Sequence, residues 1–334
     1  MALATTTEPL TRVHDVALLD LDGVVYIGPE AVPGAREALT GATNAGMRLA
    51  YLTNNASRVP GDMAGQLRDL GMPVAHDDEV VTSAQAVSRL IADAVAPDSL
   101  VLVAGGDGLR HSLHEAGLRT TDRFDESVSA VVQGFGPDLT WADLAEASYA
   151  VHAGVPWFAS NTDLTFPTAR GVAPGNGSMV QAVANATRTR PVVAGKPERA
   201  LFEECLARLL PSAPLMVGDR LDTDIEGAAR VGIPSLAVLT GVSSLQDLAE
   251  APLAARPDYV GADLSALLLP HPPFTVQGST ARCGEASVHL AQGALRVGQA
   301  GEPLHLLRAV LGLAWAVADD TGTPPRVPEH VGVG

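Results

Sequence analysis

Short continuous apolar runs alternate with longer stretches in which apolar residues recur every third or fourth position. The run VALLD (16–20) is apolar up to its last residue, the mark of a strand covered on both faces. VPGAREALTGATNAG (32–46) has helical spacing, with Pro33 near its start and Gly46 past its end. MRLAYLTNN (47–55) reads as a second buried strand and PGDMAGQLRDLG (60–71) as a second helix stopped by glycine. The same order returns late: strand RPVVAG, helix KPERALFEECLARLL, strand APLMVGD, helix DIEGAARVG, strand IPSLAVLTG, and a strand with a short helix in RPDYVGADLSALLL. Strand and helix in strict alternation predict an α/β fold with a doubly wound parallel sheet.

Between these blocks lies a hundred-residue stretch with its own alternation. DSLVLVAGG, ESVSAVVQGF and GVPWFASN have strand character; DGLRHSLHEAG, WADLAEASYAVHAG and GSMVQAVANAT have helix character. It is too long and too regular for a loop, so an inserted α/β domain over 80–187 is expected, within a core of 1–79 and 188–268. Past Leu269, PHPPFT is a proline-rich break that reads as a linker to a small C-terminal module, 274–334. There ARCGEASVHLAQGALRVGQ is expected to form a β-hairpin with a glycine turn. In the following helix, Leu306, Leu307, Val310, Leu313, Ala314 and Val317 form an apolar stripe. A hairpin and one helix are too small to stand alone, so the stripe should bury against the hairpin and the core, or against a second subunit in a homo-oligomer. The end, TGTPPRVPEHVGVG, reads as loose tail.

Composition narrows the partners. The chain is 46% hydrophobic and carries 22 Lys and Arg against 38 Asp and Glu, a net charge of −16; its mean hydropathy is +0.17. A chain of this apolar content buries a full core, and its charge disfavours nucleic acid and anionic membrane. No apolar run reaches the ~20 residues of a membrane helix, and MALATTTEPLTRVHD lacks the pattern of a signal peptide. A soluble, cytoplasmic protein is expected, with Cys205 and Cys283 reduced and structural.

Four polar stretches fall at or just after strand ends: DLDGVVY (20–26), TNN (53–55), GKP (195–197) and GDRLDTD (218–224). In an open parallel sheet, ligands bind beyond the carboxyl ends of the strands. The fold would then bring carboxylates, a hydroxyl, amides and a lysine to one edge. That inventory suits phosphoryl transfer through an aspartyl intermediate. A carboxylate attacks phosphorus, a second carboxylate gives a proton to the leaving oxygen, and a divalent cation offsets the repulsion between nucleophile and phosphate. Mg2+ fits a set of hard oxygen ligands. Asp20 and Asp219 can supply carboxylates and a carbonyl near Asp22 a third ligand, while Lys196, Thr53 and Asn54 can hold phosphate oxygens.

Taken singly, each motif has a plainer reading. DxD at a strand end is often an N-cap or turn pair, TNN a loop, and GDRLDTD a capped helix start. Four together leave the plain readings little room. The glycine turn in VAGGDGLRHSLHEAG lacks a dinucleotide-binding pattern, and His111 and His114 read as helix surface. Asn161 and Asp163 are either turn residues or face a substrate.

The four motifs, in this order and spacing, resemble those of the haloacid dehalogenase superfamily of phosphatases. The insertion resembles the C2-type cap of the group that includes phosphoglycolate, pyridoxal phosphate, nucleotide and glycerol-3-phosphate phosphatases, with FGPDLTW, SNTDLTFP and PGNGSMV similar to that group's sequences. The resemblance covers 14–268. It implies that Asp20 is nucleophile and metal ligand, that Asp22 is general acid then base and a metal ligand through its carbonyl, and that Asp219 is a metal ligand. It further implies that Thr53, Asn54, Asn55 and Lys196 bind phosphate, that Asp224 orients metal-bound water or Lys196, and that Asp222 stays on the surface. The implied cofactor is Mg2+. The implied substrate is a small phosphorylated metabolite, with glycerol 3-phosphate first and phosphoglycolate, pyridoxal phosphate and nucleotide monophosphates behind it. A non-catalytic regulatory protein that binds Mg2+ and phosphate is the alternative of another class, and a metal-free dehalogenase would leave Asp22 and GDRLDTD unexplained.

Overall fold

The computed structural model describes residues 3–168 and 170–328. It divides into two compact units, Met1–Ala50 with Leu70–Pro73 and Pro211–Gly334, and Tyr51–Asp69 with Val74–Leu210.

The first unit holds four parallel strands, in the order Tyr259–Gly261, Ser235–Val238, Pro214–Gly218, Val16–Asp20. All five residues of Val16–Asp20 are buried, as a continuous apolar run in a parallel sheet requires. Helices follow where the spacing predicts them, among them Ala35–Asn44 and Glu226–Val231, the latter closed by Gly232 at φ 76°.

The C-terminal module is larger than the hairpin expected from its sequence. Thr275–Gln277, Thr280–Cys283, Ala286–Ala291 and Ala294–Gln299 form a four-stranded antiparallel sheet in sequence order. Its last turn is Gln292-Gly293, both at positive φ (52° and 75°), the backbone that a two-residue hairpin turn needs. The helix Pro303–Thr321 is buried on more than one face: Leu311, Arg308, Ala309 and Gly312 are covered along with the expected stripe, of which only Val317 is partly exposed. One side lies on the antiparallel sheet, and the other meets the helix Leu245–Glu250 and the strand Tyr259–Gly261. One apolar cluster therefore joins Leu311 and Trp315 of this helix to Ile225, Leu248 and Val260.

PHPPFT is no free tether. His271 is fully buried, and its backbone N–H donates to the Thr6 hydroxyl at 2.9 Å. Of the expected loose tail, Arg326 pairs with Ala294 as an isolated bridge, and 329–334 lie outside the described residues.

The second unit contains a five-stranded, all-parallel sheet in the order Val192–Val193, Trp157–Ala159, Val128–Gln133, Leu100–Ala104, Arg119–Thr121. Val131, Trp157 and Ala159 pack with residues of the helices Trp141–His152 and Asn176–Thr187. The helix Ser83–Ala94 is an addition to the elements expected above, although Ala84, Val87 and Ile91 recur at helical spacing and are buried. Its start is marked by a capping box, in which the Thr82 hydroxyl accepts from the Gln85 N–H while Gln85 Oε1 accepts from the Thr82 N–H. A small hairpin, Thr165–Thr168 with Gly171–Pro174, also went unpredicted.

Candidate active site

Val16–Asp20 and Pro214–Gly218 run parallel and in register, Leu19 beside Val217. They end together, so Asp20 and Asp219 leave neighbouring strands at the same edge. After Asp219 the chain turns at once into the π-helical turn Leu221–Ile225, which brings Asp224 back. The three carboxylates are buried, and each offers an oxygen such that all three lie within 4.8 Å of one another.

Close backbone approach holds this group. Asp219 Oδ2 accepts the Val242 N–H at 2.6 Å, and its own carbonyl accepts the Ser243 N–H at 3.0 Å. A Cβ on Gly241 would lie 1.9 Å from Asp219 Oδ2, and one on Gly218 would lie 2.2 Å from Asp224 Cβ, so both positions need glycine for packing. Asp224 Oδ2 accepts the Arg220 N–H at 3.1 Å. Three anions this close repel, and burial penalises each. Their donors are all hard oxygens without nitrogen or sulfur, a set that fits a hard divalent cation.

Thr53, Asn54, Asn55 and Lys196 fall in the second unit. Thr53 and Lys196 are buried. Thr53 Oγ1 accepts the Asn55 N–H at 3.0 Å, which leaves its hydroxyl hydrogen to donate elsewhere. Asn55 is exposed, and its Oδ1 accepts from the N–H and hydroxyl of Ser57 at 2.9 and 3.0 Å. Asn54 Oδ1 accepts the Lys196 N–H at 2.7 Å, while Asn54 Nδ2 donates to the Lys196 carbonyl at 3.1 Å and to Asp163 Oδ2 at 3.1 Å. Lys196 Nζ lies 3.5 Å from the Leu52 carbonyl.

The structure thus brings together Asp20, Asp219 and Asp224 in one unit, and Thr53, Asn54 and Lys196 in the other. Asp22 is exposed and is not among the three clustered carboxylates. Asp222 is exposed, as expected, and its carboxylate accepts two hydrogen bonds from Arg220 at 3.0 and 2.8 Å; those bonds hold its pKa below the usual range. Missed in the sequence were the tight glycines 218 and 241, which have no side chain to signal them, and the bond from Asn54 to Asp163.

Comparison with known proteins gives the family. The profile of haloacid dehalogenase-like hydrolases matches residues 17–119, and a HAD-hydrolase-like profile matches 193–267. The chain belongs to the haloacid dehalogenase-like hydrolases. A D-glycerol 3-phosphate phosphatase of Mycobacterium tuberculosis is 46% identical over 258 residues, covering 77% of this chain and 72% of that protein. An acid sugar phosphatase of Staphylococcus haemolyticus is 36% identical over 250 residues, covering 74% of this chain and 93% of its own. Among solved structures, a glycerol phosphate phosphatase from Mycobacterium tuberculosis in complex with magnesium superposes with a TM-score of 0.84 at 41% identity, covering 96% of this chain and 95% of that one.

Proposed function

We propose that this chain is a Mg2+-dependent phosphatase that hydrolyses glycerol 3-phosphate through an aspartyl-phosphate intermediate. The observation that carries the reading is the buried group of Asp20, Asp219 and Asp224 at the end of parallel strands. Support also comes from a 46% identical relative named for D-glycerol 3-phosphate.

Asp20, Asp219 and the carbonyl of Asp22, with Asp224 beside them, would hold Mg2+, which would supply the positive charge that offsets repulsion between carboxylate and phosphate. An Asp20 oxygen attacks phosphorus and the bond to the glycerol oxygen breaks. We assign to Asp22 the donation of the proton that glycerol carries away. Water then attacks the phosphorus of the acyl phosphate, Asp22 takes its proton, and inorganic phosphate leaves with Asp20 restored. We assign the Thr53 hydroxyl and the Lys196 ammonium to the phosphate oxygens. Residues 1–79 and 188–268 form the catalytic core in this reading, 80–187 the cap and 274–334 the C-terminal module. The setting is cytoplasmic, in keeping with two free, buried thiols, Cys205 and Cys283.

Phosphate release from glycerol 3-phosphate, phosphoglycolate, pyridoxal phosphate and nucleotide monophosphates, each with Mg2+ and with EDTA, tests the proposal. The highest kcat/KM should fall on glycerol 3-phosphate, and EDTA should abolish turnover. A clear preference for another ester reassigns the substrate; turnover that survives EDTA overturns the metal.

A further inference from the structure

Building on the phosphatase reading, we infer that Asn54 is a positioning residue and not a phosphate ligand, acting as one unit with Asp163 to fix the backbone of Lys196. A side-chain amide has one acceptor oxygen and two N–H donors. In Asn54 each is committed: the oxygen to the Lys196 N–H at 2.7 Å, and the nitrogen to the Lys196 carbonyl and to Asp163 Oδ2, both at 3.1 Å. One side chain therefore reads both polar groups of a single residue's backbone, as a neighbouring strand would.

Both partners of the clamp are themselves held. The Asn54 carbonyl accepts from Asn161 Nδ2 at 2.7 Å and from the Ser83 hydroxyl at 2.6 Å. Asp163 takes the Asn161 side-chain oxygen on its N–H at 3.2 Å, and its carbonyl accepts the Gly177 N–H at 2.8 Å at the start of the helix Asn176–Thr187. Gly195 completes the fit: a Cβ there would lie 2.7 Å from Asn54 Oδ1 and 2.6 Å from the Ser160 carbonyl. The Asp163 charge strengthens the bond that it accepts. A lysine on a four-carbon stem is a mobile charge, and a fixed backbone is what aims it. Asp163, weighed above as a turn residue or a substrate contact, thereby acts on the reaction through Asn54.

The test is an exchange. Asn54→Asp removes both donated bonds and sets two carboxylates against each other, and a misplaced lysine should lower kcat about 100-fold. Asn54→Asp combined with Asp163→Asn restores a donor and acceptor between the two positions, and kcat should recover about tenfold over the single variant. A phosphate ligand at position 54 predicts no recovery, because its carboxylate faces phosphate in both proteins; that result overturns the inference. If Asn54→Asp fails to fold by circular dichroism, the Asn54→Ala and Asp163→Ala pair replaces it. A double variant no slower than Asn54→Ala alone supports one unit, whereas additive losses contradict it. Amide hydrogen exchange at Lys196 reads the clamp without turnover: it should quicken about tenfold in Asn54→Ala, and an unchanged rate overturns the clamp. The wild-type protein assayed on glycerol 3-phosphate and p-nitrophenyl phosphate separates failure of the phosphatase reading from failure of the clamp.

Discussion

Arg308 and His271 lie side by side in the interior of the first unit, a guanidinium nitrogen 3.5 Å from His271 Nδ1. Both are fully buried. Arg308 donates to the carbonyls of Pro272 and Ala4, each at 2.8 Å, so it ties the helix Pro303–Thr321 to the PHPPFT segment and to the N-terminal arm. His271 Nε2 sits 3.0 Å from the Ala266 carbonyl, which assigns its proton to Nε2 and leaves Nδ1 to accept from Arg308.

This arrangement makes stability depend on pH. Burial, with the charges of Arg308 and His14 adding to it, pushes His271 down to about 4 against an ordinary 6.5. Between those values the unfolded chain binds a proton that the folded chain does not, so stability is lost as pH falls through that window. At pH 5 the loss is about 2 kcal/mol. Urea unfolding of wild type and His271→Gln at pH 7.5 and 5.0 checks it. Wild type should lose about 2 kcal/mol more than the variant on acidification; an equal loss in both removes His271 as the cause.

The C-terminal helix belongs to the core of its unit. Leu311 is fully buried among residues from both halves of that unit. Leu311→Ala should cost about 2–5 kcal/mol. Deleting 271–334 should expose Leu248 and Val260 and leave an aggregating or unfolded protein. A soluble truncation with an unchanged Tm would show that this interface contributes nothing.

Gly241 offers a probe of the acidic group that leaves every carboxylate in place. Its Cβ would sit 1.9 Å from Asp219 Oδ2, so Gly241→Ala must displace that oxygen. The Mg2+ concentration for half-maximal activity should rise, and kcat should fall about 100-fold. Wild-type Mg2+ dependence in this variant would place Asp219 outside the metal site.

What the sequence revealed depended on periodicity and on side chains with chemistry. VALLD, APLMVGD and their neighbours were legible because a buried parallel strand must be apolar throughout, and Asp20 and Asp219 stood out as charges at the ends of such runs. The helix Ser83–Ala94 is legible both by period, in Ala84, Val87 and Ile91, and by its capping pair Thr82 and Gln85, yet it sits at the border of the expected insertion and is absent from the elements read there. The C-terminal sheet was read as one hairpin because the short strand Thr275–Gln277 and the turn at Gly284 gave weak signals beside Gln292-Gly293. The apolar stripe of Pro303–Thr321 understated its burial, because a helix covered on several sides shows its full extent only once its neighbours are known. Nothing in TNN records that Asp163 and Lys196 take up the side-chain amide of Asn54.

The central claim is that Asp20 is the nucleophile, and one comparison tests it most directly: the initial rate of phosphate release from glycerol 3-phosphate by Asp20→Asn against wild type at saturating Mg2+. An amide cannot form the acyl phosphate, so the variant should be slower by about 10,000-fold or more while keeping the wild-type fold by circular dichroism. A folded Asp20→Asn protein that releases phosphate within about tenfold of the wild-type rate would contradict the covalent mechanism.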